Sequence, residues 1–262
     1  MTSKMFSGKV FLLVTGASQG IGRKIAEIFA STLEIDSQVL LLARNLENLK
    51  EISNQLSKHL TVNVESVDLS KATAKELKDI IVNSLGSKKA NQFNEVVIVH
   101  NVGSVGNVSQ STVEMTNYDL WTEYYNLNVF GPAVLNGIFM ELFQEETIKK
   151  HVINITSLCG IQPFKSLGYY CSGKAAREMY FKVFAEEHPN VNVLNYSPGP
   201  VETKMFQTII EDVGDVELKT QFQNKRKNNQ VLTTDQTTKR LVEVLSKKNY
   251  KSGDHVDYRD EL

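Results

Sequence analysis

The sequence predicts an α/β fold, a single mostly parallel, doubly wound sheet with helices on both faces. Three observations lead there. Short apolar runs alternate with amphipathic stretches along the whole chain, as strand–helix–strand units require. The first apolar run opens into a glycine-rich turn and then, at once, into helical spacing, the arrangement of a Rossmann-type fold. No internal repeat, low-complexity tract or linker interrupts the 262 residues. Residues 1–262 are therefore expected to form a single domain, and 41% hydrophobic against 23% charged residues is enough to bury its core.

Lys9 to Val14 reads as a buried strand that runs into Thr15-Gly16-Ala17-Ser18-Gln19-Gly20-Ile21-Gly22. Ile25, Ile28, Phe29 and Leu33 then recur at helical intervals. Glycines in such a turn let the backbone approach a pyrophosphate, and the helix start offers free N–H groups and a positive dipole end. Gln38 to Leu42 is the second strand, followed by Ala43-Arg44-Asn45. Many dinucleotide folds place an acid there for the ribose hydroxyls; a guanidinium instead attracts a 2′-phosphate, so NADPH/NADP+ is expected over NAD. Leu46 to Leu60 reads as an amphipathic helix and Val62 to Val67 as the third strand. Asp68-Leu69 closes that strand, with the carboxylate placed to meet an adenine amino group.

Thr73 to Leu85 is predicted helical, Gly86 to Asn94 a surface loop, and Glu95 to Val99 the fourth strand, leading to His100-Asn101-Val102-Gly103. A long helix follows from about Tyr118 to Phe143, and Pro132 within it implies a kink or break. His151 to Ile155 is the fifth strand, Tyr170 to Glu186 a helix, and Val191 to Tyr196 the sixth strand. Residues 201–230 are polar and weakly periodic, which suits a substrate lid. A helix from Asp235 to Leu245 and a short strand near His255 to Asp257 complete the fold.

The chemistry concentrates between the fifth strand and the helix after it. Ser157 precedes Tyr170 by thirteen positions and Lys174 follows it by four. If Tyr170 opens a helix, that spacing stacks phenol and ammonium one turn apart on a single face. A free phenol, with a pKa of about 10, is a poor acid–base group at neutral pH, and a fixed cation beside it lowers that value. A serine hydroxyl at the strand end can polarise a carbonyl while the phenol supplies a proton, which suits carbonyl reduction. Taken alone, a Tyr-x-x-x-Lys pair is common on helices; its company gives it meaning.

The bounds are consistent with a small-molecule enzyme. A net charge of −1 argues against a nucleic-acid or anionic-membrane binder. Two cysteines, Cys159 and Cys171, are too few for a disulfide framework and lack metal spacing, so no metal is expected. No run reaches the length of a membrane span and no signal-peptide pattern opens the chain, which points to the cytoplasm. The tail Arg259-Asp260-Glu261-Leu262 is similar to a retrieval signal of the endoplasmic reticulum, which acts only on proteins that have entered the lumen.

In this order, Thr15-Gly16-x-x-x-Gly20-x-Gly22, Asn101-x-Gly103, Asn128, Ser157 and Tyr170-x-x-x-Lys174 resemble the short-chain dehydrogenase/reductase family over nearly the whole chain. Within it, Ser157 to Lys165, Tyr170 to Arg177, Asn195 to Pro200 and Ser252 to Tyr258 are similar to its pterin-reducing members. The resemblance implies a catalytic set of Ser157, Tyr170, Lys174 and Asn128, with Lys174 also holding the nicotinamide ribose. It implies that Asn128 holds a helix irregularity and a relay water. It implies cofactor contacts from Gly16, Ser18, Gly20, Ile21 and Gly22, then from Arg44, Asn45, Asp68, Leu69, Asn101 and Gly103, and finally from Tyr170, Lys174, Val201 and Thr203. With Gln19 where many NADP-dependent relatives carry a base, Arg44 becomes the main phosphate partner. Ser157, Tyr170, Gly199 and Asp257 are the implied contacts to a small-molecule pterin, Asp257 accepting the two-donor fork of the ring. A homodimer through the two long helices is implied as well. A broader carbonyl reductase for dicarbonyls or quinones, or a cofactor-sensing protein without turnover, are the alternative readings.

Overall fold

The computed structural model describes residues 5–261. Residues 1–4 and Leu262, the last residue of the retrieval-like tail, lie outside the described residues. Seven strands form one sheet, all parallel, in the order β3-β2-β1-β4-β5-β6-β7. They are β1 (Val10–Thr15), β2 (Gln38–Ala43), β3 (Thr61–Ser66), β4 (Glu95–His100), β5 (Lys149–Ile155), β6 (Val191–Ser197) and β7 (His255–Asp257). The order reverses between β1 and β4, where a doubly wound sheet opens a crevice at its carboxyl end.

Alternation along β1 divides the core in two. Leu12 and Val14 face α1 (Gly20–Thr32), α2 (Leu46–Gln55) and α9 (Thr234–Lys247), meeting Ile25, Phe29, Ile52 and Leu241. Phe11 and Leu13 face α3 (Ala74–Leu85), α5 (Gly131–Leu142) and α6 (Gly168–Glu187). There Phe11, Phe139 and Phe143 pack with ring centroids 4.9–6.2 Å apart. Both faces of the sheet are covered, so the central strands read as continuous apolar runs.

Three elements differ from expectation, and a fourth, the irregular long helix, shows the expected irregularity at Asn128 rather than at Pro132. Helix α2 stops at Gln55 instead of Leu60, because Leu56 turns extended and the Leu60 N–H closes a turn on Ser57, returning the chain to β3. The long helix is interrupted by a π turn over Asn126–Phe130, between α4 (Tyr118–Tyr125) and α5; Pro132 sits near the start of α5, just beyond the break. Helix α6 begins at Gly168, so Tyr170 is its third residue. The stretch 201–230 contains two helices, α7 (Lys204–Asp212) and α8 (Val216–Lys227). Phe206, Ile209 and Leu218 are buried on them, a sparse apolar stripe that the surrounding charges hide in the sequence.

Candidate active site

The glycine turn shows its purpose in what it excludes. Gly16 and Gly20 have φ of +64° and +60°, the left-handed region that favours glycine. A Cβ on Gly22 would lie 2.3 Å from both the Gly16 carbonyl oxygen and Asn101 Nδ2. Asn101 pins the turn from β4, its Nδ2 donating to the carbonyls of Thr15 and Gly16 at 3.1 and 3.2 Å. The Thr15 hydroxyl donates to Val99 and accepts the N–H groups of Asn101 and Val102. Two strand ends and the turn are thus locked together at the point where the strand order reverses.

A cleft of about 1230 Å³ opens above this turn. Its walls include Gly16, Ser18, Gly20 and Ile21 from the turn, and Asn101 and Gly103 from the end of β4. Arg44 and Asn45 line it beyond β2, Asp68 and Leu69 beyond β3, and Thr203 beyond β6. Gly22 and Val201 lie behind the wall, the first packing the turn, the second bridging to Leu232. Arg44 is exposed at the rim and, among the described residues, has no carboxylate within ion-pair distance. Arg23, also on the cleft, is engaged by Glu27 and Glu51 at 2.9 Å each. The Ser70 hydroxyl holds the Asp68 carboxyl below its usual range, against burial and with help from Arg44. The size of the cleft, its exposed N–H-rich turn and the space that only glycines leave fit a dinucleotide.

Ser157, Tyr170 and Lys174 come together beyond the wall of this cleft, and none of the three lines it. Ser157 follows β5; its Oγ accepts the Cys159 N–H at 3.2 Å, and its hydroxyl is near enough to the Tyr170 phenol to favour the ionised form. Tyr170 belongs to the same buried apolar cluster as Val105, with Met205 packed against it, and Val105 and Met205 line the cleft. Lys174 Nζ lies 5.6 Å from the centre of the Tyr170 ring and donates to the Ile155 carbonyl at 2.6 Å.

The electrostatics correct the expectation drawn from the spacing. Burial pushes the Tyr170 phenol up from its ordinary value, as does Cys159, and the Ser157 hydroxyl and Arg177 offset this only in part. Lys174 is itself buried, and burial and the Arg177 guanidinium depress it to about 7. The ammonium that was to activate the phenol therefore titrates near neutrality, and the phenol remains protonated. A protonated phenol is the form that can protonate an alkoxide.

Asn128 is buried in the π turn. Its Nδ2 donates to Tyr124 O at 2.8 Å and its Oδ1 accepts the Ser104 N–H at 2.9 Å, which ties the bulge to the loop after β4. Gly131 closes the bulge by donating to Asn126 O, and a Cβ there would lie 2.6 Å from Leu69 O. The bulge is thus wedged against the cleft wall. Asp257 pairs with Ser197 at the ends of β7 and β6. Its Oδ2 accepts from Ser197 Oγ at 2.6 Å and its Oδ1 from the Arg259 N–H at 3.1 Å. Each carboxylate oxygen keeps a lone pair for a further donor. Gly199, with φ of +72°, turns the chain beside Tyr258.

Arg177 had no assigned role. It is 2% exposed. Its guanidinium donates to Asn154 Oδ1 at 2.7 Å, to Val102 O at 2.8 Å and to His100 O, joining the ends of β4 and β5 beneath the site. His100 is packed on Phe181 with its Nε2 against Asn136 Oδ1, and burial and Arg177 push it down to about 3. It is a neutral core residue.

Residues 10–214 match the sequence profile of the short chain dehydrogenases. The chain belongs to this family. Its members use nicotinamide dinucleotides, and this short-chain dehydrogenase is an oxidoreductase with a Rossmann-like sheet. It is 35% identical to a sepiapterin reductase of Xenopus tropicalis, with 97% of each chain covered. It is 28% identical to a benzil reductase of Bacillus subtilis, over 75% of this chain and 76% of that one. A solved short chain dehydrogenase/reductase of Saccharomyces cerevisiae superposes with a TM-score of 0.80 at 26% identity, covering 97% of both chains.

Proposed function

We propose that the protein reduces the side-chain carbonyl of a pterin with NADPH, acting on sepiapterin or 6-pyruvoyl-tetrahydropterin in the last reduction leading to tetrahydrobiopterin. The observation that carries this reading is the Asp257 carboxylate, with a lone pair left on each oxygen, at the same carboxyl end of the sheet that Ser157 follows. Similarity to sepiapterin reductases over 97% of the chain supports it.

Bound NADPH supplies hydride to the carbonyl carbon. Ser157 donates a hydrogen bond to the carbonyl oxygen and orients it. Tyr170, kept protonated by burial, gives its proton to that oxygen as negative charge develops, so the C=O bond becomes CH–OH. Lys174 holds the ribose hydroxyls and, titrating near 7, returns a proton towards Tyr170. Asn128 fixes the π turn and holds a relay water behind Lys174. The turn residues Gly16, Ser18, Gly20, Ile21 and Gly22 cradle the pyrophosphate, with Asn45, Asp68, Leu69, Asn101, Gly103, Val201 and Thr203 along the rest of the cofactor. Arg44 receives the 2′-phosphate, so Arg44→Asp should raise the NADPH KM sharply and narrow or reverse the preference over NADH. An unchanged NADPH/NADH ratio at low salt, where screening is weakest, would place the phosphate elsewhere. Residues 201–230, with α7 and α8, cover the substrate as a lid.

The second reading is a broader dicarbonyl reductase, favoured by the similarity to a benzil reductase. The complete Ser157–Tyr170–Lys174 set argues against a cofactor sensor without turnover. Asp257→Asn separates the first two readings. It keeps the shape but turns a donor towards the ring's donors, at a cost of about 2–4 kcal/mol in pterin binding. A small diketone has no such fork. The sepiapterin/diketone ratio of kcat/KM should fall at least about tenfold in the variant; equal losses on both substrates, or none, would leave the broader reading standing.

A further inference from the structure

Below the Ser157–Tyr170–Lys174 group lies a buried carboxylate that the reaction does not use. Glu178 follows Tyr170 by eight residues and Lys174 by four, so all three share one face of α6. Its side chain is 2% exposed. The single oxygen Oε2 accepts from two directions, from Thr156 Oγ1 at 2.8 Å and from His255 Nδ1 at 2.9 Å. Lys182 Nζ lies 2.8 Å from Oε1. Burial pushes this carboxyl up, but the hydrogen bonds from His255 and Thr156 and the ion pair with Lys182 outweigh it and hold it at about 2. Glu178 is therefore ionised, and His255 presents Nδ1–H to it.

Each arm ends beside a residue of the proposed site. Thr156 precedes Ser157, and its N–H extends the β5–β6 ladder by donating to Tyr196 O at 2.9 Å. His255 stands two residues before Asp257 on β7, so strand alternation puts both side chains on one face. The turn after Ser157 closes on the same oxygen, since a Cβ on Gly160 would lie 3.1 Å from Glu178 Oε2 and 3.2 Å from Thr156 Oγ1. Strand β7 needs such a hold. It is three residues long and pairs with β6 alone, at the edge of the sheet.

We propose that Glu178 is a positioning residue that sets the spacing between the Ser157 hydroxyl and the Asp257 carboxylate by tying the ends of β5 and β7 to one oxygen. This rests on the reading of Asp257 as the ring anchor. A substrate held at both points senses the spacing; one that touches Ser157 alone does not.

The test compares two substrates in two variants. Glu178→Gln keeps the size but loses the charge and cannot serve both donors as well. His255→Phe removes the β7 arm and leaves Thr156 on Glu178, so it still reports if the glutamine variant folds poorly, with melting temperature recording folding. In either variant the sepiapterin Kd of the NADP+-loaded protein and the sepiapterin KM should rise about tenfold. Sepiapterin kcat and both diketone constants should stay within about threefold of wild type. Equal losses on both substrates, or unchanged sepiapterin binding, would overturn the proposal. If Asp257→Asn leaves the sepiapterin/diketone ratio at its wild-type value, the anchor reading fails and this inference falls with it. If Asp257→Asn collapses the ratio while Glu178→Gln and His255→Phe both preserve it, the spacing role alone is wrong.

Discussion

A phenol that must protonate an alkoxide is useful only while it holds its proton, and Tyr170 is buried deeply enough to keep it. Tyr170→Phe retains the ring and its place in the apolar cluster with Val105 but removes the proposed acid. Turnover should fall roughly a hundredfold or more, the usual range for losing a general acid, with NADPH binding little changed. Near-wild-type turnover, measured by NADPH oxidation, would assign the proton to another group. The trio was legible in the sequence because four residues along a helix is a local relation. Its charge state was not, because burial depends on what packs around the pair. Arg177 and Glu178 were hidden for the same reason: in the sequence they read as an ordinary charged pair on a helix, and only the packing of α6 on β4, β5 and β7 gives them partners.

At the scale of elements, the glycine turn between β1 and α1 is the most sharply constrained piece of the fold. Gly22→Ala places a methyl group 2.3 Å from the Gly16 carbonyl and from Asn101 Nδ2. Relieving that overlap should cost about 1–3 kcal/mol of stability, and the displaced turn should weaken NADPH binding by about tenfold or more. Thermal melts and cofactor titration would check both, and wild-type affinity would show that the turn can shift without harm. This turn was readable because strand, glycines and helix follow one another directly. The π turn was legible only through the family resemblance at Asn128. Proline promised a break near Pro132, but its position is set by contacts distant in sequence, Asn128 to Ser104 and Gly131 against Leu69. Helices α7 and α8 were missed because they bury only a thin stripe beneath a charged surface.

For the whole molecule, the outer faces of α4, α5 and α6 carry apolar side chains that the chain itself leaves uncovered. Tyr118 is 82% exposed, Met179 60%, Phe130 52% and Val183 49%. We propose that a second copy of the chain covers them, giving a homodimer in which α6, which carries Tyr170 and Lys174, lies at the interface. Met179→Glu combined with Val183→Glu should yield a monomer in sedimentation while the fold survives, because both side chains are exposed in the single chain. A dimer that persists would place the interface elsewhere. The three-residue strand β7 bears on the order in which the protein is made. The cofactor cleft draws its walls from residues up to Thr234, whereas Asp257 follows every other residue of the site in the chain. During synthesis, which proceeds from the N-terminus, the residues of the dinucleotide cleft are therefore joined before Asp257, the proposed ring anchor. On that proposal, a growing chain would receive the residues for its reductant first and those for its choice of substrate last.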